Sequence, residues 1–545
     1  MRKRIMLSLL VAFGMYGCII QETNAQAISL AGEWTVRLDA DSTTTKIRLP
    51  GSLQEQGVGN DIDIHTPWTG GIVDDAWYKA PEYEKYRQKG NIKVPFWLNP
   101  EKHYVGVAWY TKEVVIPAGW KGKTLCLSLE RTHWETTLYV DDVEVGKQES
   151  LSTPHRYLLS PLTPGRHTLT LKIDNRIHIP VGINAHSVSD HTQSNWNGCI
   201  GQLSLSAKPD LYIEDIQVYP DIPNRKVNVT VRLKGTSPSG KANLSLQLGS
   251  ITNYELRITP GDDLSIANYE LRMAEGELLL WSEYTPNLYR LKTTLTFPGG
   301  KDEVSTSFGF REFKRDHTRF AVNGQPVFLR GTLECCIFPL TGYPSMERSY
   351  WAKIYRACKD FGLNHVRFHS WCPPEVAFDV ADSMGVYLQV ECAAWTTVGD
   401  GGEIDRWIRE ESDRILAAYG NHPSFCMLTY GNEPGGANRS RFLSELVDYW
   451  KKKDNRRVYA SAAGWAHAEN ADYWNMPEPR IQGWGEGLQS IINAQPPRTD
   501  YDWREKIPKG MPAVSHEIGQ WCVYPDFNEI SRYTGVLKAK NLEIF

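Results

Sequence analysis

One stretch limits what this chain can fold into more than any other. Thr429 to Gly436 reads Thr-Tyr-Gly-Asn-Glu-Pro-Gly-Gly and follows directly on the apolar run Phe425 to Leu428. A short apolar run reads as a buried strand, and the Gly and Pro behind it stop any continuation. The strand therefore delivers Asn432 and Glu433 at its carboxyl end. In a barrel of parallel strands, polar groups at those ends face the pocket, while the strand bodies only pack. For an isolated Asn-Glu-Pro, a glutamate that caps a loop explains as much, so the surrounding chain has to decide.

That surrounding chain repeats the pattern. Val327 to Arg330, Val366 to Phe368, Val386 to Val390, Phe425 to Leu428, Val458 to Ser461 and Ala513 to Ser515 read as short strands with helical stretches between most of them. Alternation of this kind predicts a parallel (β/α)8 barrel over residues 312–545. Trp351, Ile354, Tyr355, Cys358 and Phe361 recur at helical spacing up to Gly362, and Ile404, Trp407, Ile408, Ile415 and Tyr419 do so up to Gly420. These stripes are core. Just past the strands stand Glu334, His369 with Trp371, Glu391 with Trp395, Asn432 with Glu433, Trp484, and His516 with Glu517. Carboxylates, imidazoles and indoles around one mouth suit a neutral, hydroxyl-rich ligand better than a phosphate. No glycine-rich phosphate loop precedes any helix, which argues against a nucleotide enzyme.

The first half is read as all β. Residues 28–207 carry short alternating segments with turn signals at Asp141-Asp142 and Pro164-Gly165, the pattern of a β-sandwich. A long interruption from Asn175 to Gly201 holds His178, His186, Asp190, His191, Trp196 and Asn197, more than a connector requires. Loops of that length in compact domains are often functional, so this one is a candidate to reach the pocket of the third domain. Residues 208–311 repeat the pattern in smaller form and read as an immunoglobulin-like sandwich acting as a spacer.

Composition removes several alternatives. A net charge of −4, with 23% charged and 41% hydrophobic residues, points neither to nucleic acid nor to a membrane surface. Residues 1–27 begin Arg-Lys-Arg, run through an apolar stretch and close on Ala25-Gln-Ala27, the pattern of a cleaved secretory signal. Cys18 after Gly17 offers a lipoprotein anchor as a second reading, although Met15-Tyr16 ahead of it fits that signal poorly. No later stretch is apolar enough to span a bilayer. The ten cysteines, one of them in the leader, leave an odd number with no Cys-x-x-Cys pair, so neither a disulfide framework nor a zinc knuckle is indicated. His365 and His369, four apart in a strand, are a poor metal pair because only one can reach the mouth. The 19 Trp are the unusual count, and flat amphipathic rings suit sugar faces as well as cores.

On these residues the chain resembles glycoside hydrolase family 2, which includes β-galactosidases, β-glucuronidases and β-mannosidases. The likeness runs from Gly32-Glu-Trp34 through Phe308-Gly-Phe-Arg311, Asn323-Gly-Gln-Pro-Val-Phe-Leu-Arg-Gly331, Asn364-His-Val-Arg-Phe-His-Ser370 and Gly420-Asn-His-Pro-Ser424 to Gly431-Asn-Glu-Pro434. It implies an exo-acting retaining glycosidase with Glu433 as acid/base and Glu517, in Val514-Ser-His-Glu-Ile-Gly519, as nucleophile. It also implies that Asn432 holds the sugar's 2-hydroxyl, that His369 binds another hydroxyl, and that Asp190 enters the pocket from the sandwich loop. Glu334, Glu391, Trp395, Trp484 and His516 complete the expected carbohydrate-binding set. No cofactor is required, and Mg²⁺ or Na⁺ stays open, as does the oligomeric state. The glycone stays open among galactoside, glucuronide, mannoside and other pectin- or hemicellulose-derived sugars, and a non-catalytic carbohydrate-binding scaffold is the rival of another class.

Two departures from the family pattern stand out. Arg330-Gly-Thr-Leu-Glu-Cys-Cys336 lacks the histidine that many relatives carry after the first strand, and His516-Glu-Ile-Gly-Gln-Trp521 differs from the surroundings of the better-known nucleophiles. In addition, a βα unit needs about thirty residues, and the span from Glu517 to Phe545 is shorter. An eighth strand is therefore expected to be missing, leaving a barrel with open edges.

Overall fold

A computed structural model describes residues 27–545 apart from 40, 72–77, 193–194, 236–241, 250, 259–266, 274–275, 277, 497–500 and 521–524. The leader expected at 1–27 and Cys18 therefore lie outside the described residues, save for Ala27.

The first region is two antiparallel sheets facing each other. One sheet has six strands, in the order Val143–Gln148, Glu135–Val140, Gly165–Asp174, Val107–Ile116, Gly32–Leu38 and Thr45–Leu49; the other is built on Ala27–Ser29, Gly198–Ala207, Leu125–His133 and His155–Leu159. Alternation decides the inner face: Trp34, Val36, Tyr110, Leu138, Leu169 and Leu171 are buried between the sheets. Asp141 and Asp142, both at positive φ, turn a hairpin between Glu135–Val140 and Val143–Gln148, where the sequence carries its turn signal. A second β region follows, with three strands on Leu211–Asp221 and four on Ala242–Leu248, sharing one apolar core.

The chain then turns from antiparallel to parallel. Asn323 and Gly324, both at positive φ, turn a hairpin inside a small antiparallel sheet that uses Gln325–Val327. The first parallel strand consequently starts at Gly331, not at Val327 as the apolar run suggested. Five strands lie parallel and in chain order: β1 (Gly331–Glu334), β2 (His365–Phe368), β3 (Tyr387–Glu391), β4 (Phe425–Thr429) and β5 (Val458–Tyr459). Helices α1 (Arg348–Asp360), α2 (Glu375–Met384), α3 (Glu403–Tyr419) and α4 (Arg439–Lys453) connect them. β6 (Trp474–Met476) and β7 (Ala513–Ser515) form a further parallel pair. Single parallel bridges link Asn432 to Ala463 and Ala463 to Asn475, carrying the order from β4 towards β6.

Helical stripes bury as expected in α3, where Ile404, Trp407, Ile408, Ile415 and Tyr419 are all buried. In α1 the stripe ends sooner. Trp351, Tyr355 and Cys358 are buried, but Phe361 falls on the C-cap, where the chain turns away, and is 85% exposed.

The long sandwich loop does reach the parallel region. Ile179, Val181, Ala185 and Val188 belong to its apolar core, and Trp395 N–H donates to the Val181 carbonyl at 2.8 Å. Ser150 Oγ donates to buried Glu411 at 3.0 Å and so ties the sandwich to α3. From the middle region, Val218 N–H donates to the Asn421 side-chain Oδ1, and Asn421 Nδ2 donates to the Ile216 carbonyl. Arg311 donates to the carbonyls of Pro423 and Phe425 at the base of β4. These ties hold β4 from below while its upper end carries polar groups.

Candidate active site

Behind β4 the backbone makes a sharp break. Glu433 has φ of +38°, a region non-glycine residues rarely enter, and its N–H is held by the Ala463 carbonyl at 2.9 Å. The break aims the carboxyl inward, with the side chain 16% exposed. Glu517, two residues past β7, is 7% exposed. One atom joins the two: His516 Nε2 lies 3.4 Å from Glu433 Oε1 and 3.6 Å from Glu517 Oε1.

Their other partners differ. Gln520 Nε2 donates to Glu517 Oε2 at 2.7 Å, and Arg480 Nη2 reaches the same oxygen at 3.4 Å. His369 Nε2 lies 3.1 Å from Glu517 Oε1. Ser370 Oγ, which already accepts His186 N–H, sits beside His369 Nδ1. A hydroxyl donating to Nδ1 leaves the His369 proton on Nε2, directed at Glu517. Burial, reinforced by the positive charge of Arg367, holds His369 well below the ordinary histidine pKa, so the ring is neutral.

Beneath this layer lies Arg367, buried in β2. Its guanidinium donates to Glu391 Oε1 at 2.6 Å, to Asn432 Oδ1 at 2.8 Å and to the His516 carbonyl at 3.1 Å. A planar fork of fixed donors suits this work. Because the guanidinium occupies Asn432 Oδ1, the amide is oriented, and Asn432 Nδ2 is buried with no protein partner among the described residues. An unpaired donor beside Glu433 is costly unless something completes it.

The structure thus brings Glu433, Glu517, Asn432, His369 and His516 together and corrects three expectations. Glu391 is fully buried, and both oxygens are taken, by Arg367 and by Ser370 N–H at 2.6 Å, so it fixes Arg367 and does not face a ligand. Glu334 folds back to accept Cys336 N–H at 3.0 Å; burial lifts its pKa to about 7 despite that bond and one from Ile337. Asp190 ties the sandwich loop internally, accepting Thr69 N–H at 2.6 Å and Asn195 N–H at 3.2 Å. The loop residue that comes forward is His186, stacked on His369 at 4.3 Å. Trp395 lies 5.4 Å from His369, ring to ring. Trp484, 72% exposed, is held by its backbone N–H on Gln520 Oε1 at 2.6 Å.

Arg367, Arg480 and Gln520 were not singled out by the sequence, and His186 was named there only among the polar residues of the loop. A positive charge inside His-Val-Arg-Phe-His was the one available signal. His365 and His369 do not converge on one metal site: His365 Nδ1 faces the Tyr387 carbonyl, away from His369. Asp379, Asp382 and His422 do cluster, but His422 is an ion-pair partner of Asp382 at 2.7 Å. Burial opposes its charge, yet Asp382, Asp379 and Glu375 together lift its pKa to about 9, so a cation would compete with a held proton.

Known proteins similar to this chain are glycosidases. Residues 211–311 match the family model for glycosyl hydrolases family 2. A putative β-glucuronidase of Formosa agariphila is 25% identical over 66% of this chain and 34% of its own length. A β-galactosidase of Thermoanaerobacterium thermosulfurigenes is 22% identical over 65% of this chain and 52% of its own. The chain thus resembles glycosyl hydrolase family 2. Among solved structures, a β-galacturonidase of the family from Eisenbergiella tayi, bound to galacturonate, superimposes with a TM-score of 0.66 at 16% identity, covering 90% of this chain and 81% of that one. The chain spans between a third and about half the length of the first curated relatives it matches.

Proposed function

We propose that this chain is the catalytic part of a retaining β-glycosidase, with Glu433 as acid/base and Glu517 as nucleophile. One observation carries the reading: Glu517 is surrounded by donors, Gln520, Arg480 and His369, whereas the Glu433 carboxyl, among the described residues, faces a ring nitrogen of His516. Acetal cleavage needs that asymmetry, with one carboxylate ionised at the anomeric carbon and one carboxyl protonated at the leaving oxygen. In the first step Glu517 Oε attacks the anomeric carbon while the Glu433 proton passes to the departing oxygen. In the second, Glu433 takes a proton from water, and that water displaces Glu517. Asn432 Nδ2 meets the 2-hydroxyl, a contact that strengthens as the ring gains oxocarbenium character. Strands β1 to β7 are, in this reading, seven of the eight strands of a (β/α)8 barrel, with the sandwich and an immunoglobulin-like domain ahead of it.

The substrate class is a terminal sugar on an oligo- or polysaccharide. Relatives named for glucuronides, galactosides and galacturonides frame the choice of glycone. The basic and apolar residues 1–27 support export, with the periplasm as destination. Nitrophenol release from a panel of aryl β-galactosides, glucuronides, galacturonides and mannosides by the whole protein tests the reading, with Glu433→Gln and Glu517→Gln alongside. Turnover of one glycoside, lost in both variants, is expected. Binding of oligosaccharide without turnover of any glycoside would return the site to a scaffold.

A further inference from the structure

His516-Glu-Ile-Gly-Gln520 is where this chain departs from the better-known nucleophile surroundings, and the geometry gives the departure a use. Resting on the assignment of Glu433 and Glu517 above, we propose that His516 on one side, and Gln520 with Arg480 on the other, are positioning residues that hold the two carboxyls in opposite protonation roles.

His516 Nδ1 lies 3.0 Å from the Met476 carbonyl, which can only accept. A neutral ring there keeps its proton on Nδ1, and Nε2 presents a lone pair. That lone pair is met by Arg480 Nη2 at 3.3 Å and by Glu433 Oε1 at 3.4 Å. Only a protonated Glu433 can complete the second contact. After Glu433 has given its proton to the leaving group, its carboxylate faces a lone pair, which favours taking a proton back from the attacking water. His516 thereby serves both half-reactions without itself exchanging a proton.

Gln520 does the reverse for Glu517. Its Oε1 accepts from Trp484 N–H at 2.6 Å and from Arg480 Nη1 at 3.2 Å, so its amide NH₂ has to face Glu517 Oε2. Backbone bonds from Ile481 N–H to Ile518 and from Gln520 N–H to Gln482 lock the two segments side by side. The charged and titratable groups facing Glu517 are Arg480, Arg367 at 3.9 Å, His369 and His516; His516 faces Glu433, with the Arg367–Glu391 pair behind Asn432.

The test is the pH profile of kcat/KM for the whole protein on an aryl glycoside it turns over. Arg480→Gln and Gln520→Ala are expected to move the acid limb, which reports ionised Glu517, to higher pH by about 1 unit, with the alkaline limb in place. Arg480→Lys restores part of that shift. His516→Phe is expected to move the alkaline limb, which reports protonated Glu433, to lower pH, with the acid limb in place. Limbs that stay put while activity falls, or that move together in every variant, would overturn the proposal. Thermal unfolding of each variant is followed alongside, and His516→Leu, which likewise lacks an acceptor, replaces His516→Phe should the latter not fold. Activity surviving in both Glu433→Gln and Glu517→Gln is a separate result, and it removes the underlying assignment instead.

Discussion

Glu433 and Glu517 approach the same imidazole nitrogen, His516 Nε2, at 3.4 and 3.6 Å. Two carboxyls brought that close in sequence-distant strands are poised on one small volume, and everything packed around them decides which of the two keeps a proton.

Asn432 is expected to act in the transition state. Its Nδ2 has no protein partner among the described residues, while Oδ1 is fixed by Arg367. Asn432→Ala should lower kcat with little change in KM, by 10²-fold or so, in the range of other transition-state donors. Steady-state kinetics on a glycoside and its 2-deoxy analogue check this. A loss of equal size on both substrates would remove the 2-hydroxyl from the account.

Gly464 is the wall beside Glu433. A Cβ there would stand 2.9 Å from Glu433 Cγ, on backbone at φ of +96°. Gly464→Ala should therefore push the carboxyl aside and cost about 10²-fold in kcat, as small misplacements of reacting groups do. Near-native kcat with unchanged thermal stability would show that Glu433 tolerates displacement.

Arg367 braces a buried carboxylate and the residues of the proposed site. Removing it leaves Glu391 buried without its partner, a loss of about 3–5 kcal/mol for pairs of this kind. Arg367→Met should show that loss in urea unfolding, and adding Glu391→Gln should recover part of it. No recovery in the double variant would show that the pair does not act as a unit.

The His422–Asp382 pair predicts a pH dependence of stability. Folding raises the His422 pKa from 6.5 to about 9, against its own burial, because Asp382 and its acidic neighbours favour the charged ring. A raised folded value means the stabilisation is complete below 6.5 and is lost as pH climbs through about 9, amounting to a few kcal/mol at roughly 1.4 kcal/mol per unit. Urea midpoints should fall across that window in the wild type and fall less in His422→Gln. Parallel slopes would contradict it.

The sequence made some of this legible and hid the rest for physical reasons. Asn432, Glu433 and Glu517 could be placed at strand ends from the local sequence, while the roles expected of them came from the family resemblance. The start of β1 was misplaced because Asn323-Gly324 turns a hairpin that consumes part of the apolar run behind it. Arg367 sits inside a strand that reads as core, and its role exists only once Glu391, Asn432 and His516 converge on it. His186 and Asp190 occupy one loop, and nothing local to that loop tells which of them packs inward and which comes forward to His369. Strand-end chemistry is local; partner choice across hundreds of residues is set by packing.

The most direct measurement is to trap the intermediate. The whole protein would be incubated with a 2-fluoro glycoside of the sugar it cleaves, then digested, and the labelled peptide sequenced by mass spectrometry. The account predicts one added glycosyl mass on the peptide containing Glu517, and no label in Glu517→Gln. A label on another residue, or product of inverted anomeric configuration with no adduct at all, would contradict it.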